Sequence, residues 1–140
     1  MFHYRLYPTK AQKKNLNQTL ELCRWTYNQT LALRKNSWES EQKNIDYYES
    51  KKMIPIWKQD KPELKSVHSQ VLQDVIKRVD LAFQAFFRRV KAGETPGYPR
   101  FKGYGRYDSI TYTQSGIELD DNILSLSKIG DVKMYLLQIE

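Results

Sequence analysis

The residues best able to do chemistry in this chain hold charge and flat rings; they are not ones that make or break bonds. From Gly97 to Tyr107 the sequence reads Gly-Tyr-Pro-Arg-Phe-Lys-Gly-Tyr-Gly-Arg-Tyr. Arg and Lys pair with phosphate oxygens, Tyr and Phe offer faces on which a base or sugar can stack, and Gly lets a backbone approach closely. Arg100, Lys102 and Arg106 are the cations of this stretch. The competing reading is a solvated linker whose rings anchor it to a core, and Phe101 reads as such an anchor. Upstream, Lys77, Arg78, Arg88, Arg89 and Lys91 could follow a phosphate backbone or simply solvate one face of a helix. His68, Ser69, Gln70 and Gln73 open that helix. Amides and hydroxyls at a helix start can read base edges, as Gln does with adenine, or can cap the helix and face water.

Bond-making constellations are absent from the sequence: no nucleophile elbow, no Walker-type phosphate loop and no His-Glu-x-x-His pair. Asp74 with Asp80, and Asp120 with Asp121, have no further partner at a metal-binding spacing, and Asp120-Asp121 reads as a turn. A lone cysteine, Cys23, excludes an internal disulfide and a cysteine-rich zinc site. Two histidines, His3 and His68, cannot build a multi-histidine site. The expectation is a binder with no catalytic residue, no metal, no cofactor and no small-molecule substrate.

Charge sharpens the partner class. Residues 1–107 hold 21 Lys/Arg against 10 Asp/Glu, whereas residues 108–140 hold 2 against 6. The net +7 therefore sits on the first three quarters of the chain. With 10 Tyr, 5 Phe and 3 Trp, a packed fold is expected in place of a disordered basic tail. Nucleic acid is the leading partner, and an anionic membrane surface the weaker option. No apolar run approaches the ~18 residues of a membrane span, and Met1-Phe2-His3-Tyr4-Arg5 is not the start of a signal peptide. These features predict a soluble protein of a reducing, cytoplasmic compartment. A length of 140 residues allows one domain, or two small parts sharing a core.

The elements that must position these groups follow from periodicity. Residues 2–7 alternate as a short strand that Pro8 stops. Thr9 with Gln12 forms a capping-box pattern. Leu16, Leu20, Cys23, Tyr27, Leu31 and Arg34 then share one face of a long helix, predicted to run from about residue 10 to about residue 36. Residues 36–46 read as a connection. Asp46 and Glu49 could cap a shorter helix, which Pro55 ends or kinks, and residues 58–65 read as loop. A strongly amphipathic helix starts at Ser66, with Val67, Val71, Leu72, Val75, Val79, Phe83, Phe86 and Val90 on its apolar face and Gly93 as its C-terminal cap. Short strands are predicted over Ser109–Thr113, Ile117–Leu119, Ile123–Leu126 and Val132–Leu136. The first strand cannot be stable alone, so it is expected to pair with these later ones, with the helices inserted between. The Trp residues at 25, 38 and 57 read as packing, and Cys23 as a buried small hydrophobe.

Four stretches carry a family pattern: Tyr4-Arg5-Leu6-Tyr7-Pro8-Thr9 with Gln12; Cys23-Arg24-Trp25-Thr26-Tyr27-Asn28; Val67 to Phe87; and Gly97-Tyr98-Pro99-Arg100-Phe101-Lys102 followed by Asp108-Ser109. In order and spacing they resemble the N-terminal part of the TnpB (OrfB) proteins of insertion sequences, RNA-guided nucleases related to type V CRISPR effectors. The resemblance implies an α+β fold in which a helical recognition subdomain is inserted into a partial antiparallel β-barrel, the wedge. It divides the chain into residues 1–9 (first wedge strand), 10–96 (recognition insertion) and 97–140 (remaining wedge strands). It implies a structured guide RNA and a DNA duplex as partners, with protein reading a short motif and base pairing reading the rest. Its motif-reading positions fall on Tyr47, with Tyr48 as a rival, and on Ser69, Gln70, Gln73 and Thr113. Phosphate contacts are expected from Arg88, Arg89, Lys91, Arg100, Lys102 and Arg106. The family's nuclease domain and four-cysteine zinc module do not fall within these residues, and Tyr135 onward diverges from the pattern. The expected product is therefore truncated, frameshifted or a fragment, and does not cleave. The alternative is a stand-alone helical interaction module with a basic surface, dimerising through the apolar face of residues 67–90.

Overall fold

The computed structural model describes residues 2–139 along the backbone and the side chains of residues 3–135. Strand β1, Phe2–Tyr7, leads into helix α1, Lys10–Glu41. The predicted capping box starts that helix: Thr9 Oγ1 accepts from the Gln12 backbone N–H, and Gln12 Oε1 accepts from that of Thr9. The helix runs past the predicted stop near residue 36 and ends at Gln42, whose φ of 54° is left-handed. The extension pays off in packing, since the Trp38 ring lies 4.8 Å from that of Phe87, and this tertiary contact overrides the polar local composition.

Asp46 caps helix α2, Tyr47–Lys51, by accepting from the Glu49 N–H. Helix α3, Met53–Asp60, follows after one residue. Pro55 does not end a helix at its own position. Its missing N–H would have continued α2, so the break falls upstream at Lys52, and Pro55 sits in the first turn of α3, where N–H groups have no helical partner. Residues 58–65 are not loop: α3 covers the first of them, and Pro62–Ser66 forms a 3-10 turn drawn inward by buried Trp57 and Leu64. Helix α4, Ser69–Lys91, starts three residues later than predicted. His68 caps it, with Nδ1 accepting from the Gln70 N–H. Gly93 takes φ 82° just beyond its end, the conformation expected of a C-terminal cap.

The main core lies between α1 and α4. Leu22, Cys23, Tyr27 and Leu31 meet Val71, Leu72, Ile76, Val79, Phe83 and Phe86, with Ile54, Trp57 and Leu64 closing one end. Most of the apolar face of α4 is thus covered within the chain, with Val90 at its end still exposed, which leaves little of the surface on which the dimerising-module alternative relied. Within this core Arg34, only 2% exposed, donates from Nη1 to Asp80 Oδ1 at 2.8 Å. Its Nη2 donates to Asn44 Oδ1 at 2.9 Å, and its guanidinium lies 4.8 Å from the Phe83 ring centre. Asp80 Oδ2 accepts from Gln84 at 2.7 Å.

Strands β2 (Ile117–Asp120), β3 (Ile123–Leu126) and β4 (Gly130–Ile139) join β1 in an open antiparallel sheet of order β1-β4-β3-β2. The fold is α+β, and β1 pairs with β4 as the edge argument required. The side chain of Leu136 lies outside the described ones. Ser109–Thr113 is not a strand. No neighbouring strand is there to receive its backbone, and Arg78 holds it with side-chain bonds instead, donating to the Tyr107 hydroxyl, to Ser109 O and Oγ, and to Thr111 Oγ1 at 3.0–3.1 Å. The sheet is fastened to the helices at several points. Gln12 Nε2 donates to the Asp131 carbonyl, Tyr112 donates to the Ser127 carbonyl, and Leu6 and Leu16 pack on Leu126, Ile129 and Val132. At Gly116 (φ 86°) a Cβ would lie 2.7 Å from His68 Nε2, so only glycine permits this approach of sheet to helix.

Two predictions follow from this packing. Arg34→Ala strips the buried Asp80 carboxylate of its closest cation, leaving it Gln84 at 2.7 Å and Lys77 at 3.9 Å, and is expected to cost about 3 kcal/mol in urea unfolding, whereas Arg34→Met with Asp80→Leu recovers most of that loss. Burial pushes the Cys23 thiol from 9.0 up to about 12 and raises the Tyr27, Tyr107 and Tyr112 hydroxyls. The folded state therefore holds protons that the unfolded state releases, and stability falls as pH rises from 9.0 toward about 12. Urea midpoints measured across that window check the slope; a flat profile contradicts it.

Candidate nucleic-acid interface

A cleft of about 610 Å³ opens where the segment before α2, helix α4 and the residues just before β2 converge. Its walls include Tyr47, Tyr48, Gln70, Gln73, Lys77 and Thr113, and Arg34 and Asp80 reach it from the core. Helical spacing explains the α4 wall, since residues 70, 73 and 77 recur at steps of three and four on one face. The loop before α2 is held over that face by the Arg34–Asn44 bond.

Two ammonium groups, those of Lys51 and Lys77, each lie 5.3 Å from the Tyr47 ring centre. Burial first, then the neighbouring Tyr48, Asp74 and Asp80, raises its hydroxyl above the ordinary tyrosine value. It therefore stays a protonated donor at neutral pH. Tyr48 stands edge-on to it at 5.3 Å and is 67% exposed, so both candidate tyrosines fall on the cleft. Gln73 has no hydrogen-bond partner among the described residues, and its amide is free to donate and accept. Thr113 is exposed on the rim.

Gln70 is differently employed. Its Oε1 accepts from the backbone N–H groups of Gln114 (3.0 Å) and Ser115 (2.9 Å), and so pins the turn that carries Thr113. Ser69 is exposed in the first turn of α4 and is not among the residues lining the cleft. The carboxylates that reach the cleft are also committed. Asp80 holds Arg34, Asp74 holds Arg78, and Asp46 caps α2. What remains for a ligand is amide, hydroxyl, aromatic and ammonium.

The expected phosphate-binding cations do not form a single row. Arg88 and Lys91 flank a shallow apolar groove with Leu81, Gln84 and Phe87. Arg89 and Arg100 both line another groove, together with Phe86 and Tyr98. Lys102 and Arg106 border a third, of about 230 Å³, beside Tyr107. Arg78 is withdrawn from the basic face altogether, since Asp74 and the 107–111 segment occupy it. Phe101 is 51% exposed and is not the anchor expected from sequence. Tyr98 and Tyr107 do the anchoring. Tyr98 stacks on Phe86 at 4.8 Å, and buried Tyr107 packs against Tyr27. Sequence reasoning missed the clamp on this segment: Arg24 and Asn28 both donate to the Lys102 carbonyl, and Asn28 Oδ1 accepts from its N–H. The signal was present, because Arg24 and Asn28 are four residues apart and share a helical face.

Among the described residues no three His, Cys, Asp or Glu side chains could jointly hold a metal ion, and no helix is long and apolar enough to cross a membrane. Residues 1–43 match a family model of the OrfB (IS605) type described as a helix-turn-helix domain. Within that span the structure has β1 and one continuous helix, and the turn and further helices come from α2 to α4. Over 133 residues, 92% of this chain, the sequence is 31% identical to the Escherichia coli (strain K12) protein named "Putative RNA-guided DNA endonuclease InsQ". The chain carries the N-terminal region of the TnpB/OrfB family. It spans 32% of that relative's length. The alignment with that relative spans most of the chain, whereas the family-model match ends at residue 43, before all the residues lining the cleft except Arg34.

The pinned turn gives a prediction. Gln70→Ala removes the acceptor of two backbone N–H groups near the surface. It is expected to cost about 1–2 kcal/mol of stability and to speed amide exchange at Gln114 and Ser115 while leaving the α1–α4 core amides protected. Unchanged exchange at those two amides contradicts the assigned role.

Proposed function

We propose that this chain is a nucleic-acid-binding region of a TnpB-like protein, that it reads a short motif in a DNA duplex through the cleft between α2 and α4, and that it also grips a structured guide RNA. The single observation that carries the reading is the cleft itself, which gathers Tyr47, Gln73 and Thr113 with their polar groups uncommitted while every carboxylate beside them is occupied. A free glutamine amide at the wall of a cleft can pair with the N6 and N7 edge of adenine, and a protonated tyrosine or threonine hydroxyl can pair with either kind of edge atom. Gln70 serves this site as a positioning residue, by holding the turn that presents Thr113. Ser69 lies one step outside, toward the backbone of a bound duplex.

Arg88, Arg89, Lys91, Arg100, Lys102 and Arg106 supply the phosphate contacts. They are exposed, and they border three separate grooves around the C-terminal half of α4 and the segment after it. Spread in this way they suit a folded RNA with several backbone directions better than one straight duplex. The role assigned to this region is recognition, and no bond-breaking step is assigned to its residues. In this reading β1 and the strands from β2 onward form the wedge, and the helices between them form the recognition insertion.

The test is fluorescence anisotropy with a duplex library and with the transcript flanking the gene. Affinity for both is expected to fall linearly in log–log with salt. Arg88→Gln and Arg89→Gln should each reduce the slope by about 1 without changing sequence preference. Gln73→Ala should leave the slope intact and relax preference at one base pair, worth about 1–3 kcal/mol. Failure to bind either ligand at low salt, or a Gln73→Ala variant with unaltered preference, overturns the assignment.

A further inference from the structure

The segment Gly103–Arg106 holds an aromatic ring out in water, and it does so with a rigid device. The Arg106 N–H donates to the Gly103 carbonyl at 3.0 Å, closing a four-residue turn. Gly105 occupies its third place at φ 72°, the left-handed value that a type II turn needs there. Tyr104, in the second place, is 86% exposed, the most of any large apolar or aromatic side chain described. The residue just before the turn is clamped to α1: Asn28 both donates to the Lys102 carbonyl (3.0 Å) and accepts from the Lys102 N–H (2.8 Å), and Arg24 donates to the same carbonyl. The Arg24 guanidinium lies 6.0 Å from the Tyr104 ring centre. Water gives no reason to present a ring in this fashion. A flat ligand does.

A second observation lies on the other side of the turn. The groove of about 230 Å³ is lined by three cations, Arg78, Lys102 and Arg106, against one carboxylate, Asp108. Arg78 is committed to its own hydrogen bonds, and the Lys102 ammonium lies 5.5 Å from the Tyr27 ring centre with no carboxylate among the described residues paired to it, so Lys102 and Arg106 keep their charge beside the groove for an anion. A platform for a ring next to two cations matches one nucleotide: base on Tyr104, phosphate at Arg106 and Lys102.

We infer that Tyr104 is a stacking seat for an unpaired nucleobase, separate from the cleft between α2 and α4, with Arg106 and Lys102 receiving the phosphate of the same strand. This rests on the reading that the chain binds nucleic acid and adds to it a class of ligand, a single-stranded segment. A base inside a duplex has both faces covered by its neighbours and cannot use the seat. The exposure of Tyr104 means that replacing it disturbs no core contact.

The experiment uses the full chain and three probes of one sequence: single-stranded RNA, single-stranded DNA and the duplex, each at one fixed salt concentration. Tyr104→Leu is expected to weaken single-strand binding roughly 5- to 100-fold, to leave duplex binding unchanged, and to keep the far-ultraviolet circular dichroism of the parent. Tyr104→Phe, which keeps the ring, should bind as the parent does. The single-stranded probe that loses affinity identifies whether the occupant is RNA or DNA. The same probe made abasic should bind the parent as weakly as the intact probe binds Tyr104→Leu. Unchanged single-strand binding in Tyr104→Leu, an equal loss on the duplex, or an abasic probe that binds the parent normally overturns the seat while leaving the proposed function standing. A parent chain that binds none of the three overturns both.

Discussion

One buried ion pair fixes the geometry on which the rest of this molecule depends. Arg34 and Asp80 meet at 2.8 Å inside the α1–α4 interface, and each also reaches outward. Arg34 holds Asn44 in the connection before α2, and Asp80 holds Gln84 one turn further along α4. Two apolar side chains of similar volume would fill the same space, and removing the desolvation cost could even raise stability. They would not set register. Apolar helix faces can slide or rotate against one another at small cost, whereas a guanidinium must meet its carboxylate in one alignment. The pair therefore sets where the loop before α2 crosses α4, and with it the position of Tyr47 relative to Gln73. The buried Arg34 Nε lacks a hydrogen-bond partner, and the neighbouring Phe83 ring face offsets part of that deficit.

The other wall of the cleft belongs to the sheet side of the molecule, so the sheet has to be seated as firmly as the helices are. Its fastening is concentrated at the start of α4. His68 caps the helix with one ring nitrogen, packs against Tyr112 at 5.2 Å, and approaches Gly116 so closely that no side chain fits there. Gln70, two residues on, takes the N–H groups of Gln114 and Ser115. One turn of helix thus secures the whole entrance to β2. A rotation of the sheet would have to break these contacts together, which is why Thr113 can face a side chain on α4 across an open cleft.

Where local rules dominate, the sequence was legible. The capping box at Thr9 and Gln12, the Asp46 cap, the apolar stripe of α4, the left-handed Gly93 and the return of β1 to the last strand all follow from spacing or from backbone bonds that must be satisfied. The misreadings share a cause. Arg78 looked like a solvent-facing cation because its helical position is on the polar side, yet its long side chain reaches the 107–111 segment and replaces the strand pairing predicted for Ser109–Thr113. Phe101 looked like an anchor because it is apolar, but Tyr98 and Tyr107 on the same segment reach the core first. Gln70, expected as a reader, also braces the turn before β2, a second role that spacing did not reveal. Each of these relations joins residues 12 or more positions apart in sequence, which no periodicity encodes. The cleft was legible only as a set of positions carried by the family resemblance. Its depth, and the pairing of every carboxylate in it, needed the fold.

The separation of charge from neutral polar groups has a physical logic of its own. A phosphate contact is governed by long-range attraction and tolerates errors of position, so in the proposed reading Arg88, Arg89 and Lys91 can sit on an exposed helix end and still contribute. Hydrogen-bond readout of a base edge does not tolerate such errors, because a donor displaced by an ångström loses most of its bond. Groups intended for that task belong on braced elements, and Gln73, in the interior of α4 above the Arg34–Asp80 pair, is so placed. Unpaired carboxylates in the same cleft would repel a polyanion. Here Asp74 and Asp80 are each spent on an arginine, which lets acidic residues build the cleft without opposing what enters it. The same reasoning makes Arg78 and Arg34 more than lost cations: together with Lys77, 3.9 Å from Asp80, they neutralise the two carboxylates beside the uncommitted amide of Gln73.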